Sequence, residues 1–277
     1  MRTVFKDNKV ILYGAPCTDA SLIFDCGQAF RFDKADDGAW CGTAFGKYIR
    51  VYQDAEKTVI DGASKEDFEK IWYNYFDFGR NYDEILTTFE GDDLLEKAAK
   101  ENYGIRVLKQ EKWETLCSFI ISQNNNIPRI KGIIKRLCEN FGEKAGDDFS
   151  FPPAEKIAAL SAEDLVPLRA GFRNKYILDA AKKVASGEVD LEKIESLSTE
   201  DGEKELMKIK GVGTKVAQCV LLFAYGREDA FPVDVWVKRV MTLYPDGLPE
   251  QVLKNRGIAQ QYLFHYIRNH PEIAQNI

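Results

Sequence analysis

Residues 206–236 read LMKIKGVGTKVAQCVLLFAYGREDAFPVDVW, and the reading of this stretch decides the fold. Residues 203–210 are expected to form a short helix, with Ser198 and Asp201 spaced like a capping box just upstream. Gly211-Val212-Gly213 sets two glycines around one apolar residue, a tight turn whose backbone can take positive φ. A second helix is expected to open at Thr214, a good N-cap residue. Val216, Cys219, Val220, Phe223 and Ala224 recur at three-and-four spacing, so one face is apolar and buried. Gly226 closes the helix as a C-terminal cap. The expected unit is helix, hairpin, helix, over about residues 203–226.

Such a turn suits an anion. Unpaired N–H groups of the hairpin and of the next helix's first turn face outward together, where the helix dipole is positive. A phosphate fits this nest at Gly211 and Gly213 without any base being read. Lys215 is out of place there, because the dipole disfavours a cation in a first turn. A residue that breaks a local rule is more often functional than average, although a solvated lysine touching a phosphate would look the same. Asp234 follows nineteen residues later and can N-cap a helix over 235–243. Taken alone, it needs no other role.

As a pair the two residues say more. GVGTK followed at this distance by PVD resembles the lysine-bearing, bifunctional branch of the helix-hairpin-helix DNA glycosylases, and further motifs narrow this to the 8-oxoguanine DNA glycosylase/AP lyase family. The segment Gly27-Gln28-Ala29-Phe30-Arg31 is similar to the family's G-Q-x-F-R. There a glycine carbonyl reads the N7 hydrogen that distinguishes 8-oxoguanine from guanine, and Gly27 takes that position. A glycine within a strand otherwise suggests only a bulge. Asn124-Asn125-Asn126-Ile127-Pro128-Arg129 resembles the family's N-N-N-I-x-R. The resemblance implies that Asn124 enters the gap left by the flipped base and that Arg129 faces the orphaned cytosine. Gly171-Phe172-Arg173 is similar to G-Y-R, with Arg173 as a second arginine on that cytosine. Phe172 departs from the usual wedge tyrosine, so stacking survives without the hydroxyl. Gln260 and Phe264 lie one turn apart; in the family such residues bond the guanine's Watson–Crick edge and stack on its ring. Cys219, one turn after Lys215, would form the opposite wall of the base sandwich. Trp236 stands where histidine is commoner, near the flipped nucleotide's phosphate. The matches run in order from about residue 21 to residue 264.

Composition is that of an ordinary soluble globular protein: 277 residues, 45% apolar and 30% charged, enough for two domains. The net charge of −6 comes from residues 1–100, with 13 basic and 19 acidic side chains, whereas 101–277 carries 25 of each. Basic clusters at 129–136 and 169–183 are the expected phosphate-facing patches, since local charge rather than overall pI attracts DNA. Solvated helix faces are the bland reading for Lys131, Lys135 and Lys182. Six scattered cysteines without a C-x-x-C suggest neither zinc nor a disulfide framework. Reduced thiols in an intracellular compartment, cytoplasm and nucleoid or a nucleus, are expected rather than secretion. The four-cysteine cluster loop that many helix-hairpin-helix glycosylases carry is absent, so no iron–sulfur cluster, no metal and no other cofactor are expected. Hairpin carbonyls can hold a cation, but no side chain marks such a site. No apolar run suits a membrane.

The expected fold class is α+β: an antiparallel sheet domain with flanking helices over 1–103, then a mostly helical domain over 104–277. Strands are expected at 4–12, 21–32, 39–45, 48–53 and 58–61, joined by turn signals such as Asp7-Asn8. Helices are expected at 66–78 and 94–102, and no strand after 103. The resemblance implies a monomeric enzyme that flips 8-oxoguanine, opposite cytosine, out of double-stranded DNA and excises it. Lys215, neutral, would attack C1′; Asp234 would stabilise positive charge there. An imine then permits strand cleavage by β-elimination. Two alternatives stay open: a monofunctional alkylpurine glycosylase, which shares the fold and aspartate without this lysine, and a non-catalytic helix-hairpin-helix binding module.

Overall fold

The computed structural model describes residues 1–54 and 57–273; of the expected helical span, 274–277 lie outside the described residues. Six strands form one antiparallel sheet in the order β1-β2-β6-β5-β4-β3. They are β1 (Arg2–Lys6), β2 (Lys9–Tyr13), β3 (Phe32–Lys34), β4 (Trp40–Ala44), β5 (Lys47–Asp54) and β6 (Lys57–Asp61). The expected strand at 4–12 is a hairpin, because Asp7 and Asn8 both take positive φ, 51° and 56°. Two such residues make the turn whose twist matches its strands. One sheet face carries the smaller of two cores, with Val10, Ile49, Ile60 and Trp72 fully buried.

The expected strand at 21–32 does not form. Residues Ala20–Asp25 are a helix, α1, whose first turn is capped by Asp19 Oδ1 accepting from Ser21 N–H at 2.8 Å and Leu22 N–H at 3.1 Å. Leu22, Ile23 and Phe24 form a short apolar run that periodicity alone cannot assign to helix or strand, and the Asp19 cap decides it. Gly27 therefore sits in the loop between α1 and β3, not in a strand.

The larger core lies among the helices: α2 (Asp93–Glu101), α3 (Lys112–Ser122), α4 (Ile127–Phe141), α5 (Asn174–Ala185), α6 (Thr199–Leu206), α7 (Thr214–Tyr225), α8 (Val235–Met241) and α9 (Arg256–Asn269). A two-stranded hairpin, β7 (Lys144–Ala145) and β8 (Asp148–Phe149), interrupts them, so strand character does return after residue 103. It serves to hold the sheet domain: Arg31 is paired with Asp148 at 2.9 Å and with Glu114 of α3 at 3.3 Å. Helices α3 and α7 run side by side through the core, where Phe119 stacks on Phe223 with ring centroids 5.3 Å apart. The last helix, α9, returns to pack on α2 and brings its side chains against the loop after α1.

Candidate active site

The hairpin forms where expected, with shifted boundaries. Helix α6 spans Thr199–Leu206 rather than 203–210, capped by Ser198 Oγ accepting from Asp201 N–H at 3.1 Å. Of the two glycines only Gly211 is left-handed, at φ 84°. It also has to be small: a Cβ there would lie 2.5 Å from the Tyr176 ring of α5. Gly213, not Thr214, is the N-cap of α7. The first bond of that helix runs from Ala217 N–H to the Gly213 carbonyl. The N–H groups of Thr214, Lys215 and Val216 ahead of it have no backbone partner among the described residues, as the first turn of a helix leaves them.

Lys215 is in this first turn and half-buried. Its Nζ lies 3.5 Å from Ser122 Oγ at the end of α3 and 5.2 Å from the Phe119 ring centroid. It has no carboxylate within ion-pair distance among the described residues. Asp234 caps α8, but with one oxygen only: Oδ1 accepts from Trp236 N–H at 2.9 Å and Val237 N–H at 2.8 Å. Its Oδ2 receives no donor among the described residues. Both side chains line one cavity of about 790 Å³. Cys219 is buried behind them. Burial pushes its thiol up, while the adjacent Lys215 pulls it down and the Asp234 charge adds to the rise. That thiol therefore senses the amine and the carboxylate together.

Across the cavity stand Gly27 and Phe264. Gly27 has φ 78°, and a Cβ on it would come within 3.2 Å of Phe264 Cε1. Its two neighbours are pinned: the Cys26 carbonyl accepts from Gln261 Nε2 at 2.6 Å and the Gln28 carbonyl from Gln110 Nε2 at 2.8 Å. Gln28 itself is buried and ties the loop to Ile23, Arg106 and Leu108. Between these fixed points the Gly27 carbonyl accepts nothing among the described residues. Gln260 is buried one turn before Phe264, and its Oε1 has no partner among them either. An orphaned buried acceptor costs about 1–3 kcal/mol, and such groups call for an explanation. Neither Gln260 nor Cys219 contributes to the cavity wall itself.

The third wall is the turn between α3 and α4. Gln123 and Asn125 side chains donate back to Ile120 and Ile121 carbonyls, and Asn126 Oδ1 caps α4 through Arg129 N–H at 3.0 Å. Asn124 is exposed, left-handed at φ 47°, and its side chain makes no hydrogen bond among the described residues. Arg129 is exposed with an equally unengaged guanidinium. Arg173 corrects its expectation: it is 2% exposed. It donates to the carbonyls of Gln123, Asn124 and Ala170, with its guanidinium carbon 4.4 Å from the centroid of the exposed Phe172 ring. The basic patch at 129–136 also shrinks. Lys131 is bound to Asp33 at 2.7 Å, Lys135 faces Glu139 at 3.9 Å, and Arg136 donates to the Leu168 carbonyl. Trp236 lines the cavity mouth, with Arg239 5.2 Å from its ring centroid.

The family model described as the 8-oxoguanine DNA glycosylase N-terminal domain matches residues 15–116, and that of the HhH-GPD superfamily of base excision DNA repair proteins matches 117–245. MBOgg1, solved in complex with a low-affinity DNA ligand, is 40% identical with a TM-score of 0.91, over 98% of this chain and 100% of that one. The chain belongs to the 8-oxoguanine DNA glycosylase family. The Clostridium acetobutylicum 8-oxoguanine glycosylase/lyase, in complex with duplex DNA bearing cytosine opposite 8-oxoG, matches with a TM-score of 0.91 and 37% identity, over 98% of this chain and 99% of that one. The Saccharomyces cerevisiae N-glycosylase/DNA lyase is 40% identical over 153 residues, 50% of this chain and 41% of its own length. The chain spans less than two thirds of the length of the first curated relatives it matches.

Within this family frame the cavity collects Gly27, Asn124, Gly213, Lys215, Asp234, Trp236 and Phe264. Sequence reasoning missed Phe119 and Ser122, which flank the Lys215 amine, and Arg268, which lines the wall beside Gly27. Arg268 falls one turn after Phe264, a spacing that could have pointed to it.

Proposed function

We propose that this protein is a bifunctional DNA glycosylase/AP lyase that removes 8-oxoguanine from double-stranded DNA. The observation that carries the reading is the shared cavity: Lys215 and Asp234 on one wall, with the free Gly27 carbonyl and Phe264 on another. A base extruded from the stack would lie against Phe264. Its N7–H would meet the Gly27 carbonyl; Gln260, buried behind the wall in the free protein, would turn its orphaned Oε1 toward the N–H groups of the Watson–Crick edge once the base is seated.

The Lys215 amine then attacks C1′ as the bond to the base breaks, and the base leaves with the bonding pair. Positive charge develops on the sugar, and the uncapped oxygen of Asp234 stabilises it. Loss of the amine proton and opening of the ring yield an imine; loss of a C2′ proton then expels the 3′ phosphate. No cofactor enters this chemistry. Extrusion costs a few kcal/mol, offset by phosphate bonds at the hairpin and by Asn124 and Phe172 at the vacated stack. Arg129, with its fork free, is the proposed contact to the cytosine left behind.

Borohydride trapping on an 8-oxoguanine:cytosine duplex, beside an alkylated duplex, tests the reading. The wild type is expected to be trapped on the first, and Lys215→Gln to bind it without excision or trapping. Excision at the wild-type rate by Lys215→Gln would remove the lysine from this role.

A further inference from the structure

Arg268 lines the lesion cavity without any part in the chemistry above. It stands on α9 one turn beyond Phe264, its guanidinium carbon 6.0 Å from that ring's centroid. One nitrogen is committed: Nη2 donates to the Asp25 carbonyl at 2.6 Å and lies 3.6 Å from the Asp25 carboxylate. Nη1 has no acceptor among the described residues, and it lies 3.9 Å from where a Cβ on Gly27 would be. The side chain is 20% exposed, so the fork is held in place yet open to the cavity. Its neighbour His265 is 4% exposed and is held neutral by burial, so no second cation repels it at neutral pH.

We propose that Arg268 is a specificity-determining residue whose Nη1 donates to a carbonyl oxygen flanking N7 of the flipped purine. This rests on the proposed excision of 8-oxoguanine. The purine edge that presents N7–H to the Gly27 carbonyl carries an oxygen on either side, at C6 and at C8. A backbone acceptor next to a cationic donor matches that edge, acceptor to N–H and donor to C=O. Gly27 alone reads one hydrogen; with Arg268 beside it the wall reads a donor and an acceptor together. An arginine held by one nitrogen is already oriented, so little freedom is lost when the other bonds. A purine that lacks N7–H presents its N7 lone pair to the Gly27 carbonyl, and the pairing fails.

The test compares a substrate that has the base with one that lacks it. Single-turnover excision of 8-oxoguanine and β-elimination at a preformed abasic site are measured for the wild type, Arg268→Leu and Arg268→Lys. Trapping of the wild type on the lesion duplex secures the underlying excision independently. Loss of a charge-assisted hydrogen bond is expected to lower excision about 10- to 100-fold in Arg268→Leu. Cleavage at the abasic site, where no base can be read, should stay within about 2-fold. Arg268→Lys keeps the charge on a shorter, less directional donor and is expected to fall between. Equal losses on both substrates, in whichever variant folds, would make Arg268 a prop for the Asp25 loop and overturn the proposal. Unchanged excision by Arg268→Leu would overturn it as well.

Discussion

Arg173 donates to the Asn124 carbonyl at 2.8 Å, and through this bond the second arginine of the G-F-R segment holds the asparagine turn instead of facing solvent. The same guanidinium bonds the Gln123 and Ala170 carbonyls, so a left-handed residue at φ 47° is fixed from behind by a buried cation. Burial lowers the Arg173 pKa, with the charge of Arg129 a smaller push in the same direction. The fork stays charged all the same, because an arginine does not deprotonate in a protein.

Arg173→Ala is therefore expected to unfold more easily in the absence of DNA. Removing it leaves the Gln123 and Asn124 carbonyls without their donor, a loss of about 2–4 kcal/mol. Urea denaturation of the free protein measures it. A variant as stable as the wild type, yet weakened in binding DNA, would return Arg173 to a direct contact.

Asp234 separates structure from chemistry in one substitution. Oδ1 caps α8, whereas Oδ2 has no donor among the described residues, in a side chain that lines the cavity. Asparagine caps nearly as well as aspartate, so Asp234→Asn should keep stability within about 1 kcal/mol while excision falls roughly 100- to 1000-fold for lack of the negative charge. Asp234→Ala should lose both. Unfolding curves set beside single-turnover excision decide it; an active Asp234→Asn would leave the residue as a cap alone.

How far these features were legible depends on how local their causes are. The GVG hairpin, Gly226 and the Asp234 cap were readable because each is decided by φ or by a bond within a few residues. The 21–32 segment was misread, since six residues are too few for a period and the decision lay with Asp19. Arg173 was misplaced for a different reason. Its partners in the asparagine turn are 49 and 50 residues away, and nothing in the G-F-R segment says which way the fork turns. Likewise Ser122 meets Lys215 across 93 residues, a proximity created by the packing of α3 on α7. A resemblance supplied the identities of the site residues; only packing showed that Asn124 is free and Arg173 is not.

His265 predicts how the protein responds to acid. Burial, aided by the charge of Arg268, lowers its imidazole from 6.5 to about 4. Its ring nitrogens lie 3.4 Å from Arg268 Nη2 and 3.2 Å from Asn269 Nδ2, both N–H donors. A doubly protonated ring would set donor against donor at each. The unfolded chain binds this proton near pH 6.5 and the folded protein only near pH 4, so the group's contribution is complete above about 6.5 and declines as pH falls toward about 4. The span is worth about 3 kcal/mol at most. His265→Gln, which cannot take up a proton, should show a flatter stability curve between pH 6.5 and pH 4 than the wild type, read by urea denaturation at several pH values in that window. If the wild type and His265→Gln lose stability in parallel, the acid sensitivity belongs to the carboxylates and not to this ring.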